Sequence, residues 1–363
     1  MEPVLTTDIH EIFMSRALEL ARQGRGNVSP NPLVGCVLVK EGEIIGEGYH
    51  EEFGGAHAEV NALRNSRQDP VDATAYINLE PCCFMGKTPP CTDTLIQNGI
   101  AEVYIGMLDP NPEVNGKGVE ALKKANIIVH VGVGEEDAWN LNRPFEKWIT
   151  TQIPFVTAKA AQTPAGFMGV DSDHSVWLTG EVSGRHTHQL RAESDAILIG
   201  RQTAVIDDPA LTVRHVPGEN PTRVILDTNR TLPLTLNMFH DRKAKNIVFC
   251  SENRFDRNKT HFCDYIPVPE AENGLSIPHI VRKLGEKNVT SLLVEGGQEV
   301  LQSFLDADCI DRMVIYTAAN ELEKAELKNP LIIPENWVIT VEDFLGEDRV
   351  IIAEKGVECL QEL

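Results

Sequence analysis

Residues 79–95 read LEPCCFMGKTPPCTDTL: an apolar strand running into Pro81-Cys82, a loop rich in turn formers, and a second cysteine, Cys91, opening a helical run that Gly99 ends. Strand, loop and helix in that order make one half of an α/β unit, and the segments on either side extend it. AHAEVNALR (56–64) reads as a helix. LVGCVLVK (33–40) and EIIGEGYH (43–50) read as strands joined by a tight turn at Glu41-Gly42, and ATAYINLE (73–80) as a strand. AEVYIGM (101–107) and IIVHVGV (127–133) are strands flanking a helix at 119–126. Further upstream Ile9, Ile12, Phe13, Ala17, Leu20 and Ala21 recur at helical spacing, and Gly24 closes that run. The alternation predicts an α/β sandwich over residues 1–145.

Glu135–Pro154 reads as a helical, Trp-bearing connector, with 146–153 as the link to a second series over 154–363. Its strands are predicted at 154–161, 195–200, 222–227, 245–250, 290–295 and 311–318, with helices near 180–193, 275–286 and 297–306. Short β-runs separated by helical patterns predict a mixed or mostly parallel sheet. The Pro-, Asn- and Asp-rich stretch 207–222 reads as a functional loop.

A chain of 363 residues exceeds one ordinary core, which fits two domains. The net charge of −21 opposes binding to nucleic acid or an anionic membrane, while a few local cations suffice to hold a small phosphorylated ligand. No secretory signal and no transmembrane run is expected, and eight dispersed cysteines suit reduced thiols in the cytoplasm better than a disulfide scaffold.

Three of those cysteines crowd into ten residues, and their partners explain why. Catalytic zinc takes three protein ligands and keeps one open position. His57, Cys82 and Cys91 supply one imidazole and two thiolates. Glu59, two residues past the histidine on the same helix, sits beside the open position without being a ligand. There it can take a proton from zinc-activated water and pass it to a ring nitrogen and a leaving ammonia. The competing reading is a structural site closed by a fourth ligand, Cys83 or His50.

In the second half, Arg191 and Arg214 could fork onto a phosphate, with surface salt bridging as the alternative. Glu295-Gly296-Gly297, between a strand and a helix, suits a pyrophosphate approach or a plain turn.

The eight-residue spacer between Cys82 and Cys91, with its TPPC element, resembles the bifunctional riboflavin-biosynthesis deaminase/reductase family. PNPLVGCVLV (30–39), GYHEEFGGAHAEVNAL (48–63) and DPNPEVNGKG (109–118) carry the resemblance through most of the first half. It implies a cytidine-deaminase-like α/β/α sandwich followed by a dihydrofolate-reductase-like α/β domain. It also implies Zn2+ on His57, Cys82 and Cys91, Glu59 as acid/base, and substrate contacts from Asn31, His50, Lys87, Asp109 and Asn111. Asn and Asp also favour turns and caps, the plainer account of those positions. Phe84 stands where the family commonly has histidine.

The second-half resemblance runs through Lys159 and Ala161, SVWLTG (175–180), HQLRAESDAILIG (188–200), TAVIDDPALTVR (203–214), RVILDT (223–228) and LLVEGG (292–297). It implies NADPH against Ala161, Trp177, Thr203, Asp207 and Gly297. The phosphorylated substrate would face Ser175, Arg191, Leu211, Arg214 and Glu295, with Lys159 and Glu295 near the chemistry. The chain departs from the family at Thr163-Pro164-Ala165-Gly166, where a carboxylate is missing, and at TAANELEKAEL (317–327). The expected activity is deamination of a phosphoribosylated 2,5-diaminopyrimidinone, then NADPH-dependent reduction of its ribosyl to a ribityl chain, by a cytoplasmic homo-oligomer. The alternatives are a deaminase of another nucleobase with a non-reductive second domain, and a zinc-stabilised binding protein without activity.

Overall fold

The computed structural model describes residues 8–85, 89–170, 177–256, 263–322 and 324–356. The chain divides into two compact units, Met1–Gln152 and Ile153–Leu363.

The first unit contains, in order, α1 (Ile9–Arg22), β1 (Gly35–Lys40), β2 (Glu43–Tyr49), α2 (Ala58–Arg64), β3 (Thr74–Leu79), α3 (Cys91–Gln97), β4 (Glu102–Met107), α4 (Lys117–Lys124), β5 (Ile128–Val131) and α5 (Glu135–Thr151). The sheet order is β2-β1-β3-β4-β5. β1 runs antiparallel to β2 and β3, while β3, β4 and β5 are parallel. Asp8 caps α1 by accepting the His10 N–H at 3.1 Å. The helix buries Phe13, Met14, Ala17, Leu18, Leu20 and Ala21 in a cluster with Val37, Tyr76 and Met107. On the other face Ala58 and Ala62 of α2 and Leu95 of α3 join Cys36, Leu38, Ile77 and Ile105. Helices therefore cover both faces, and residues 146–151 continue α5 inside this unit.

The second unit contains β6 (Phe155–Gln162), β7 (Phe167–Gly169), α6 (Glu181–Ala192), β8 (Ala196–Gly200), α7 (Arg201–Asp207), β9 (Thr222–Leu226), β10 (Asn246–Ser251), β11 (Asp264–Val268), β12 (Glu270–Ala271), β13 (Gly274–Leu275), α8 (Ile277–Gly285), β14 (Ser291–Val294), α9 (Gln298–Asp306), β15 (Arg312–Thr317), β16 (Leu327–Lys328), β17 (Trp337–Leu345) and β18 (Asp348–Lys355). Its main sheet runs β11-β10-β9-β8-β14-β6-β15-β18-β17. The strands from β11 to β15 are parallel, and the β17–β18 hairpin is added antiparallel to β15. Parallel strands need cover on both faces, hence their nearly unbroken apolar runs. Ile277, Ile280, Val281 and Leu284 put one stripe of α8 into the core, each buried side chain contributing about 1.5–3 kcal/mol of transfer free energy.

β11, β17 and β18 lie outside the predicted strands. The β17–β18 turn has a usable signal: Leu345 pairs with Asp348 across Gly346-Glu347, and Gly346 has φ +69°. That is the backbone a two-residue hairpin loop requires.

Candidate functional site

In the first unit the strand ends and one helix start deliver the side chains. His57 is the N-cap of α2 and Glu59 lies in its first turn. Cys82 follows the carboxyl end of β3 and Cys91 opens α3. His57 Nδ1 lies 3.2 Å from Cys91 Sγ and 3.6 Å from Cys82 Sγ, and the three ligand atoms are within 4.8 Å of one another. At ordinary zinc bond lengths, tetrahedral ligands place N and S roughly 3.5 Å apart, so the donor set fits zinc. Among the described residues the group ends at three, and neither Cys83 nor His50 joins it.

The protons on this group follow from its hydrogen bonds first and from burial second. Hydrogen bonding from the Cys91 side chain and then from His57 draws the Cys82 thiol far down, while the Cys91 thiol is pushed up. Glu59 is 2% exposed, and its Oε2 is buried without a hydrogen-bond partner. Such an atom costs free energy unless a ligand or water meets it. Burial pushes the Glu59 carboxyl up, and the neighbouring Cys82 charge adds to the rise.

A cavity of about 370 Å³ opens onto His57, Glu59 and Cys82, and Asn31, His50, Asp109 and Asn111 also line it. His50 is neutral: burial lowers it, Nδ1 donates to Ala56 O at 3.0 Å, and Nε2 accepts from Asn31 Nδ2 at 3.0 Å. Asp109 accepts the Asn111 N–H at 2.8 Å, and burial raises its carboxyl to about 6. Lys87 lies outside the described residues. Phe84 lines the cavity, so an apolar ring stands at the departure from the family pattern.

Sequence reading passed over Glu80. Its buried carboxylate accepts the N–H groups of Asp109 at 3.1 Å, Gly116 at 2.9 Å and Val119 at 3.1 Å, fixing the loop that carries Asp109 and Asn111. The available signal was an acidic residue ending an otherwise apolar strand, which demands buried partners.

In the second unit a cleft of about 870 Å³ is lined by Lys159, Ala161, Thr203, Asp207, Glu295 and Gly297 among others. Glu295 takes both arms of Arg191, Nε at 2.7 Å and Nη2 at 2.9 Å, and Lys159 Nζ lies 3.6 Å away. Burial raises a carboxyl, but Lys159 and Arg191 outweigh it and hold Glu295 near 2. Arg191 therefore spends its fork on Glu295 rather than presenting it to a phosphate. Arg214 donates from its backbone to His188 Nδ1 at 3.1 Å and from Nη1 to Thr212 Oγ1 at 3.3 Å. Leu211 is 3% exposed and packs with Ile197, Ile199 and Ile225, so its side chain belongs to the core. Trp177 is 80% exposed and is not among the cleft residues. Ser175 lies outside the described residues.

Two helix starts meet this cleft. Gly200 precedes α7 and Gly297 precedes α9. A Cβ on Gly200 would fall 2.7 Å from Val300 Cγ2, and one on Gly296 would fall 2.5 Å from Val300 Cβ. The absence of a side chain at Gly200 lets the two starts converge, and at Gly296 it clears the turn into α9, a cradle suited to the phosphates of a dinucleotide. Arg201, Thr228 and Asn229, none of them named as a site residue from the sequence, also line it. Pro164 and Ala165 occupy an exposed turn closed by Gly166 N to Thr163 O at 2.9 Å, so the missing carboxylate falls on a turn the backbone closes without it.

Comparisons with known proteins align with both halves. Residues 7–107 match the family described as cytidine and deoxycytidylate deaminase zinc-binding region, and residues 154–320 match the RibD C-terminal domain. The chain is 42% identical over 314 residues to riboflavin biosynthesis protein RibD of Aquifex aeolicus, covering 86% of this chain and 87% of that protein. It is 39% identical over 367 residues to its counterpart in Haemophilus influenzae, covering 95% and 98%. A crystal structure of a diaminohydroxyphosphoribosylaminopyrimidine deaminase/5-amino-6-(5-phosphoribosylamino)uracil reductase from Thermotoga maritima is similar at TM-score 0.86 and 36% identity, covering 96% of this chain and 99% of that one. Acinetobacter baumannii RibD is similar at TM-score 0.86 and 31% identity, with the same coverage.

Proposed function

This chain belongs to the RibD family of bifunctional riboflavin-biosynthesis deaminase/reductases, and from that premise we propose which of its residues carry the two reactions. The first is hydrolytic deamination of a phosphoribosylated 2,5-diaminopyrimidinone. The second is NADPH-dependent reduction of the ribosyl group to a ribityl chain. A deaminase of another nucleobase is not favoured, because the relatives align through both halves.

The observation that carries the reading is the His57, Cys82 and Cys91 group beside the unpartnered Glu59 Oε2. The three side chains hold zinc, which when bound brings the pKa of a coordinated water near neutrality. Glu59 accepts a proton at Oε2, and its burial keeps that proton transferable. Asn31, held by neutral His50, and Asp109 and Asn111, held by Glu80, face the substrate's polar edges. Lys87 is assigned to its phosphate.

In the second unit NADPH supplies the hydride. Gly297, Thr203, Asp207 and Ala161 hold the cofactor. Lys159, tethered to Glu295, holds charge that develops on the substrate, and Arg191 keeps Glu295 ionised. Arg214 and Ser175 are assigned to the substrate's phosphorylated arm, Leu211 through its backbone only, and Trp177 to the cofactor's outer edge. The reading makes the chain a cytoplasmic homo-oligomer. Val338, Ile339, Val341 and Phe344, exposed on the edge strand β17, support the self-association.

The test is one purified protein and two assays. Ammonia release from the diaminopyrimidinone and NADPH oxidation with the deaminated product are both expected. Absence of the first refutes the deaminase assignment, and absence of the second refutes the reductase one.

A further inference from the structure

The deaminase cavity has a wall that the generic zinc region does not supply. Residues 7–107 match that region, yet Phe145, Trp148 and Ile149 of α5 line the same cavity as His57, Glu59 and Cys82. The three stand at i, i+3 and i+4, one face of one helix. The helix is fastened where the wall begins. Asn142, 2% exposed, accepts the Leu33 N–H at 2.8 Å and donates to Leu33 O at 3.0 Å. From the sheet, Asn78 donates to the same carbonyl at 2.9 Å and accepts the Gly35 N–H at 2.7 Å. Two buried amides thus pin the segment that begins two residues after Asn31. At the far end the Gln152 N–H closes on Trp148 O at 2.8 Å. The helix bearing the apolar wall and the loop bearing Asn31 are therefore held in one fixed relation.

A pyrimidinone presents hydrogen-bonding edges and two flat faces. The edges suit Asn31, Asp109 and Asn111, whereas a face needs an apolar, polarisable surface. Resting on the deaminase reading above, we propose that Trp148 is a specificity-determining residue: its indole packs against the face of the substrate's pyrimidine ring, with Phe145 as backing.

The test measures binding apart from turnover. In a zinc-loaded Glu59→Gln background the diaminopyrimidinone substrate is titrated by calorimetry. Adding Trp148→Ala is expected to raise Kd roughly tenfold or more, because loss of a stacking surface weakens base binding by that order. Trp148→Leu, which keeps apolar volume without a π face, is expected to weaken binding similarly and guards against a folding defect in the alanine variant. Trp148→Phe is expected to stay within about threefold. With Glu59 restored, Trp148→Ala raises KM and largely retains kcat, at unchanged zinc content. A Kd for both alanine and leucine variants within twofold of the parent overturns the proposal, as does a phenylalanine variant as weak as alanine. If the Glu59→Gln parent shows no saturable binding and the unmodified enzyme releases no ammonia, the deaminase reading falls and takes this proposal with it.

Discussion

Two carboxylates separate the roles that burial can give one functional group. Glu59 is buried next to thiols, and burial with the Cys82 charge outweighs the opposing pull of His57, so its carboxyl is raised. Glu59→Gln is expected to lower deamination by roughly 10²–10⁴-fold, the range for a lost general acid/base, while zinc content stays at the unmodified level. Metal analysis alongside ammonia release checks this, and lost zinc would make Glu59 a structural ligand instead. Glu295 is buried between Arg191 and Lys159 and is held near 2, below its ordinary 4.5. A depressed carboxylate contributes stability that is complete above its unfolded pKa and disappears as pH falls through the folded value. Glu295→Gln should therefore destabilise the second unit by about 3–5 kcal/mol at pH 7, the cost of leaving buried cations unpaired. The gap to the unmodified protein should narrow between pH 4.5 and 2. Urea titrations across that window decide it, and a gap independent of pH contradicts the pairing. His57, Cys82, Cys91 and Glu59 were legible because their chemistry restricts residue type and local spacing. The Arg191–Glu295 pair was not: its partners are 104 positions apart, and an arginine reads equally well as a phosphate fork.

Among the elements, the second cleft depends on how closely two helix starts approach. Gly200→Ala would drive a Cβ to 2.7 Å from Val300 Cγ2, so the starts of α7 and α9 must separate. A loss of about 1–3 kcal/mol in stability is expected from that overpacking, together with weaker NADPH binding. Val300→Ala in the same chain should restore much of both. Thermal unfolding and NADPH titration of the single and double variants check this, and failure of the second change to help would place the strain elsewhere. The helices with a clear stripe, such as α1 and α8, were legible in the 3.6-residue period. β17 was not, because it is an edge strand whose apolar residues alternate with nothing: Val338, Ile339 and Val341 all remain exposed. A period-two pattern arises only where one face is buried.

For the whole molecule, the His57, Cys82 and Cys91 group lies in Met1–Gln152 and the cleft lined by Lys159, Glu295 and Gly297 lies in Ile153–Leu363. Chelation should lower the unfolding temperature of Met1–Gln152 and abolish deamination. NADPH should raise only that of Ile153–Leu363, by mass action. Scanning calorimetry with each addition tests this, and a single transition moved equally by both would show that the units unfold together. The net charge of −21 opposes a polyanionic partner for either unit.

Read alone, the chain determined the alternation of elements and picked out His57, Cys82, Cys91 and Glu59, which the fold brings together, since those follow from local period and from chemistry that tolerates few residue types. Tertiary structure alone decided that Leu211 faces the core, that Arg191 serves Glu295, that Glu80 ties down a loop, and that α5 walls the first cavity. Each of these depends on which of several compatible partners a side chain meets across the fold, and sequence spacing does not encode that choice.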